Sequence, residues 1–255
     1  MLLKRPALRV MGVVVALNAV AWLAYGAVAL SGAATAAFAS AGLLCFVLGM
    51  RHAFDADHLA AIDDTTRLLV SKGRRPVSLG LGFALGHSLV VLILFTAFAI
   101  TAGHLGSQNS AIQEVGGRLA MTAAAGFLLL VGVLNARLLW RLLSSPPDDD
   151  GGTPPASGVM TRLLGPRLLN RVNSGWQMVP VGFVFGLGME TASEVALLGL
   201  SVTTASQGMP WWSLLTLPLL FAAGMALFDT LDSLMMTHLY TTENASARAR
   251  RTFNV

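Results

Sequence analysis

The stretch "RHAFDADHLAAIDD", Arg51 to Asp64, carries one arginine, two histidines and four aspartates in fourteen residues. At about 100° per residue, His52, Asp55 and His58 spread over an arc of about 120° on one side of a helix. Asp63 returns close to the direction of His52, whereas Asp57 and Asp64 share a different side. Imidazole mixed with carboxylate suits a borderline divalent transition ion such as Ni²⁺, Co²⁺ or Zn²⁺. Mg²⁺ and Ca²⁺ favour oxygen donors alone. The competing reading is a buried His–Asp network that only ties helices together. Arg67 stands i+4 from Asp63 and i+3 from Asp64, the spacing of a structural ion pair.

Three further groups sit in apolar surroundings. "LGHSLVV" sets His87 beside Ser88, "GLGMETASEV" places Glu190 and Glu194 at i, i+4, and "LFDTLDSL" places Asp229 and Asp232 at i, i+3. Thr191, Ser193, Thr230 and Ser233 add hydroxyls beside them. Each group alone reads as a packing hydrogen bond. Four such groups in four apolar segments favour a shared polar pathway.

The elements that must position them are membrane spans. The chain has 255 residues, 55% hydrophobic and 12% charged, where a soluble domain carries about 25% charged residues. Six apolar segments reach the length of about 20 residues needed to cross a bilayer. They lie near 10–30, 41–69, 77–101, 119–143, 177–203 and 212–239, giving an all-α polytopic bundle. The second is longer than a crossing needs, which allows a break or a tilt. The first follows Lys4, Arg5 and Arg9; its length and the spans after it favour a retained span over a cleaved signal peptide.

Of the 13 acidic residues, eight lie in or beside these spans: Asp55, Asp57, Asp63, Asp64, Glu190, Glu194, Asp229 and Asp232. A charge at the bilayer centre costs roughly 2.5–3.5 kcal/mol even on insertion scales. These acids must therefore face a protein interior or a water path and be paired, protonated or metal-bound. If six spans alternate, all of the 17 basic residues except Arg51 and Arg118 fall on one side. The positive-inside rule makes that side, with both ends of the chain, cytoplasmic.

The expected organisation is four spans over 1–143, a cytoplasmic loop over 144–175, two spans over 176–240 and a basic tail over 241–255. The loop opens "SSPPDDDGGTPPASG", a linker composition, in which Asp148, Asp149 and Asp150 read as solvated. The pI near 10.0 is no mark of nucleic-acid binding, because the basic residues sit in loops and not on one polar face. A single cysteine, Cys45, excludes a disulfide framework and a multi-thiolate metal site. No Walker A motif is present, so the chain carries no ATP site of its own. No ATPase subunit is evident, and HExxH is absent.

The segment "RHAFDADHLAAIDDTTR" resembles the signature of the nickel/cobalt transporter (NiCoT) family of high-affinity nickel permeases, in which His52, Asp57 and His58 match the His-X₄-Asp-His core. "LGHSLVV", "GLGMETASEVALL", its lead-in "GWQMVPVGFVFGLG", and "GMALFDTLDSLMM" resemble that family's motifs in the third, fifth and sixth spans. They fall in family order across most of residues 40–240. The resemblance implies a cytoplasmic-membrane permease that takes up Ni²⁺ or Co²⁺ as substrate, with no cofactor. The ion would bind at His52, Asp57 and His58, and more loosely at Asp55. His87 would bear on selectivity, and Glu190, Glu194, Asp229, Asp232 and Asp63 on relay.

The chain departs from the family pattern in three places. Glu190 stands where the family has Asp, an arm longer by about 1.5 Å. Asp64 stands where Asn is common. The family commonly has eight spans, and "RARRTFNV" resembles the approach to a seventh, so further spans are expected. Efflux of the same ions by related sequences, an intramembrane acyltransferase using the HX₄D spacing with His as base, and a non-transporting accessory protein for a metalloenzyme are the competing functions. The acyltransferase reading has no second motif and no use for the acids of spans five and six.

Overall fold

The computed structural model describes residues 4–31, 36–105, 173–187 and 209–243, and with them Val133, Glu194, Leu197, Gly199 and Leu200. Every regular element among the described residues is helical, as expected. Helix α1 is Lys4–Leu30, α2 is Ala36–His52, α3 is Ala56–Ser71 and α4 is Leu79–Leu105. A 3₁₀ turn, Gly175–Gln177, leads into α5, Met178–Gly186. A single turn, Trp211–Leu214, leads into α6, Thr216–Glu243. In lipid each backbone N–H and C=O must be satisfied within its own segment, so apolar runs of this length form helices.

Three helices are long and apolar enough to cross a membrane: Arg5–Leu30, Leu79–Thr96 and Trp212–Thr242. They coincide with expected spans one, three and six. Helix α4 runs on to Leu105, beyond the expected end of span three near 101, so His104 belongs to its last turn. Expected span four, apart from Val133, lies outside the described residues. So do Glu190, most of the 144–175 linker with Asp148–Asp150, and the tail after Glu243.

The second span is two helices. After α2 the chain makes a tight turn through Ala53–Asp55, with Phe54 N–H donating to the Arg51 carbonyl at 3.0 Å and Asp55 N–H to the His52 carbonyl at 2.9 Å. Asp55 then takes an extended conformation (ψ 144°) and α3 begins. Arg51 and His52 end α2, and Asp57 lies in the first turn of α3. Each charge suits the helix pole beside it. Beyond Ser71 the helix is closed by Gly73 (φ 74°), where Arg74 N–H reaches the Leu69 carbonyl and Gly73 N–H the Val70 carbonyl, both at 2.9 Å. That closure needs a left-handed residue, which glycine adopts without a Cβ penalty.

Helix α6 is the hub, packing against α1, α2, α3 and α4, while α5 packs on α4. Small residues set these approaches. A Cβ on Gly49 of α2 would lie 2.0 Å from the Phe221 carbonyl oxygen of α6, and one on Gly182 of α5 would lie 2.0 Å from the Phe83 oxygen of α4. The main core between α1, α2, α4 and α6 includes Val14, Phe38, Cys45, Phe95, Leu217 and Phe221. A smaller one under α5 includes Ile62, Leu79, Phe83 and Met178.

Candidate metal centre

The helix break decides the site. On one continuous helix His52 and His58 would be spread along an arc. The turn at Ala53–Asp55 instead folds their rings together, with centroids 4.5 Å apart. His87, in the third turn of α4, completes a triangle, its ring 4.8 Å from each of the other two. One nitrogen from each of the three rings lies within 4.8 Å of the others, and all three residues are buried. Phe83 packs edge-on against His58, and Phe221 lies against His52.

Carboxylates from three places hold the rings. Asp55 Oδ2 accepts from His52 Nδ1 at 3.1 Å. Both oxygens of the fully buried Asp229, on α6, lie 3.3 Å from His58 Nδ1. Glu194 Oε1, also buried, is 3.0 Å from His87 Nε2 and 3.8 Å from His52 Nε2. His52 Nε2 and His87 Nε2 are 2.9 Å apart.

These contacts assign the protons. A carboxylate on Nδ1 fixes Nδ1–H in His52 and in His58, which leaves Nε2 of each as a lone pair. The close Nε2 pair then requires the proton on His87, shared between His52 Nε2 and Glu194 Oε1. His58 Nε2, His87 Nδ1 and Glu194 Oε2 are buried without a hydrogen-bond partner among the described residues.

A first-row divalent ion about 2.1 Å from each donor holds neighbouring donors about 3.0–3.4 Å apart. His52 Nε2, His87 Nε2 and Glu194 Oε1 form a triangle with two sides near that length, 2.9 and 3.0 Å, and a longer third side of 3.8 Å. The His58 ring packs against both of the other imidazoles, and its buried Nε2 has no hydrogen-bond partner among the described residues. An ion placed in the triangle would require the His87 proton to move from Nε2 to the unpartnered Nδ1, and would then meet imidazole nitrogens and one carboxylate. Such a set is chemically suited to Ni²⁺, Co²⁺ or Zn²⁺ and poorly suited to Mg²⁺ or Ca²⁺.

The residues singled out from sequence divide accordingly. His52, His58, His87, Asp55, Glu194 and Asp229 come together. Asp57, half-buried, touches none of the rings but is close enough for its charge to act on His52, His58 and Asp229. Asp232 is half-buried one turn along α6 from Asp229. Asp63 lies apart: its Oδ1 accepts from the Tyr240 hydroxyl at 2.5 Å and its Oδ2 is 3.7 Å from Arg67 Nη2. The expected Asp63–Arg67 pair is therefore present. Tyr240 has no counterpart in the sequence reading, since a lone tyrosine near a span's end reads as an interfacial anchor.

With this geometry established, comparison with known proteins decides the family. The model of a family described as high-affinity nickel-transport protein matches residues 38–254. The chain belongs to this family. Among curated relatives, the cobalt transport protein NhlF of Rhodococcus rhodochrous is 44% identical over 257 residues, covering 96% of this chain and 73% of that protein. The nickel transporter NicT of Mycobacterium tuberculosis is 39% identical over 245 residues, covering 89% and 66%. The hydrogenase nickel incorporation protein HupN of Bradyrhizobium diazoefficiens is 40% identical over 208 residues, covering 78% and 54%. This chain spans from 50% to 73% of the length of the curated relatives it matches. No solved structure matches it. The high-affinity nickel-transport family is one of membrane transporters and not of enzymes, which removes the acyltransferase reading of His52 and Asp57.

Proposed function

We propose that the chain carries Ni²⁺ or Co²⁺ across the cytoplasmic membrane by secondary transport, in the direction of uptake. The ion is held by His52, His58, His87 and Glu194, while Asp55 and Asp229 orient two of the imidazoles. Asp57 at the first turn of α3 adds negative charge that draws the cation in. The observation that carries this reading is the buried three-imidazole triangle drawn from α2, α3 and α4.

The relatives named for cobalt and nickel transport support both ions as cargo. The basic residues after α3 support a cytoplasmic face there. Arg74 donates to the Asn173 carbonyl, so the loop after α3 and the segment before α5 meet at one end of the bundle, as a common face requires. Tight binding must coexist with release, so the four donors separate in another conformation.

Accumulation of radioactive nickel and cobalt in cells expressing the chain, beside a His52→Ala variant, tests the reading. Accumulation above empty-vector cells and lost in the variant supports uptake through this site. Accumulation below empty-vector cells means efflux. Equal accumulation in all three cell lines contradicts transport and favours an accessory role in metal incorporation, the function named for the HupN relative.

A further inference from the structure

Helices α3 and α6 run parallel away from the metal centre. Side-chain hydrogen bonds join them at His58 with Asp229 and, further along, at Asp63 and Arg67 with Tyr240. From Asp229 to Tyr240 is about 16 Å along the helix.

Buried hydroxyls occur along this stretch of the two helices, Ser233 on the side of α6 that meets Gly80 of α4. Thr66 of α3 and Thr230, Ser233 and Thr237 of α6 are each 0% exposed, and none has a hydrogen-bond partner among the described residues. Helical Ser and Thr ordinarily satisfy themselves on the preceding turn. Thr65 does so on Ala61 at 2.7 Å, Thr96 on Leu92 at 2.6 Å and Thr241 on Thr237 at 2.6 Å. The four that do not all come after the His58–Asp229 contact in chain order. Asp232, half-buried, has one oxygen without a partner there, and its charge interacts with those of both Asp229 and Asp63. A run of buried, unspent oxygen atoms is what a partly hydrated cation needs after leaving imidazole ligands, because oxygen donors hold it more weakly.

The run ends at a three-way clasp. Tyr240 donates to Asp63, Arg67 Nη2 donates to the Tyr240 oxygen at 3.2 Å, and the guanidinium also stands 5.4 Å from the Tyr240 ring centroid. Arg67 is 60% exposed, so the clasp lies at the edge of the bundle, between the run and water.

Resting on the transport reading above, we propose that the seam of α6 with α3 and α4 is the route by which the ion leaves the histidine centre, and that Asp63, Tyr240 and Arg67 form the gate at its end. The gate is closed in this structure. Its opening needs only a separation of the C-terminal turns of α3 and α6.

The single cysteine makes the test direct. In a Cys45→Ala background of this chain, Thr237→Cys is treated with a membrane-impermeant thiol reagent in inside-out vesicles, with Thr242→Cys as the exposed reference. The gate predicts slow labelling at 237, and at least a tenfold rise when Tyr240→Phe removes both hydroxyl hydrogen bonds yet keeps the ring. Asp63→Asn should act in the same direction. Nickel binding by the purified variants should stay within threefold, since the histidine centre is untouched. Labelling at 237 as fast as at 242 with the clasp intact overturns the gate. So does an unchanged rate in both clasp variants, or a rise accompanied by lost nickel binding, which marks general unfolding. The labelling does not depend on which ion is carried, so its failure leaves the transport reading standing, and a silent accumulation assay leaves the labelling result intact.

Discussion

Asp229→Asn probes how the centre is oriented. In the native chain both Asp229 oxygens face His58 Nδ1 at 3.3 Å, which holds the proton on Nδ1 and leaves the buried Nε2 as a lone pair. Asparagine has nearly the same size but offers one acceptor and one donor. When its amide N–H₂ faces Nδ1, the ring takes the other tautomer and Nε2 carries a proton in place of a lone pair. Loss of an orienting partner of a metal-bound imidazole costs 10–100-fold in affinity, or about 1.4–2.8 kcal/mol.

Titration of Ni²⁺ into the purified full chain, at a pH where free imidazole is neutral, measures the effect. His58→Ala and the double variant complete a cycle. Because Asp229 acts through His58, Asp229→Asn should cost little once His58 is gone, leaving a coupling of more than about 1 kcal/mol. Affinity within twofold of native in Asp229→Asn, or additive losses in the double variant, refutes the assigned role of Asp229.

The packing yields further expectations. Gly182→Ala puts a Cβ 2.0 Å from the Phe83 carbonyl oxygen, and since backbone cannot yield as a side chain does, it should destabilise the protein by about 1–3 kcal/mol. Gly12→Ala, with nothing within 4 Å of the new atom, should be neutral or slightly stabilising; thermal unfolding in detergent compares them. Tyr25 donates to the carbonyls of Phe38 and Ala39, at 3.0 and 2.8 Å, so Tyr25→Phe should lower stability by about 1 kcal/mol with nickel affinity unchanged, by the same two assays.

The chemistry of the centre was legible in the residue types, and its geometry was not. His52 and His58 stand out because ionisable residues inside an apolar run are costly and demand a reason. His87, Glu194 and Asp229 stand out for the same reason, each in its own span. That five such residues from separate elements meet at one point is a tertiary fact, set by backbone approaches such as Gly49 on Phe221. The helical-wheel argument failed locally for a definable cause. It assumed 100° per residue through Ala53–Asp55, where the chain leaves the helix, and so it gave His52 and His58 an arc instead of an edge-on ring contact. Asp63 shows the same limit, since the wheel returned it toward His52 while the structure gives it to Tyr240. The three expected spans that appear as long helices were legible because length and apolarity alone decide them in lipid.

X-ray absorption spectroscopy of the nickel-loaded full chain tests the central claim most directly. The account predicts an inner shell of nitrogen and oxygen with three imidazoles by their outer-shell scattering, falling to two in His58→Ala and in His87→Ala. An oxygen-only shell, or an imidazole count unchanged in both variants, would contradict it.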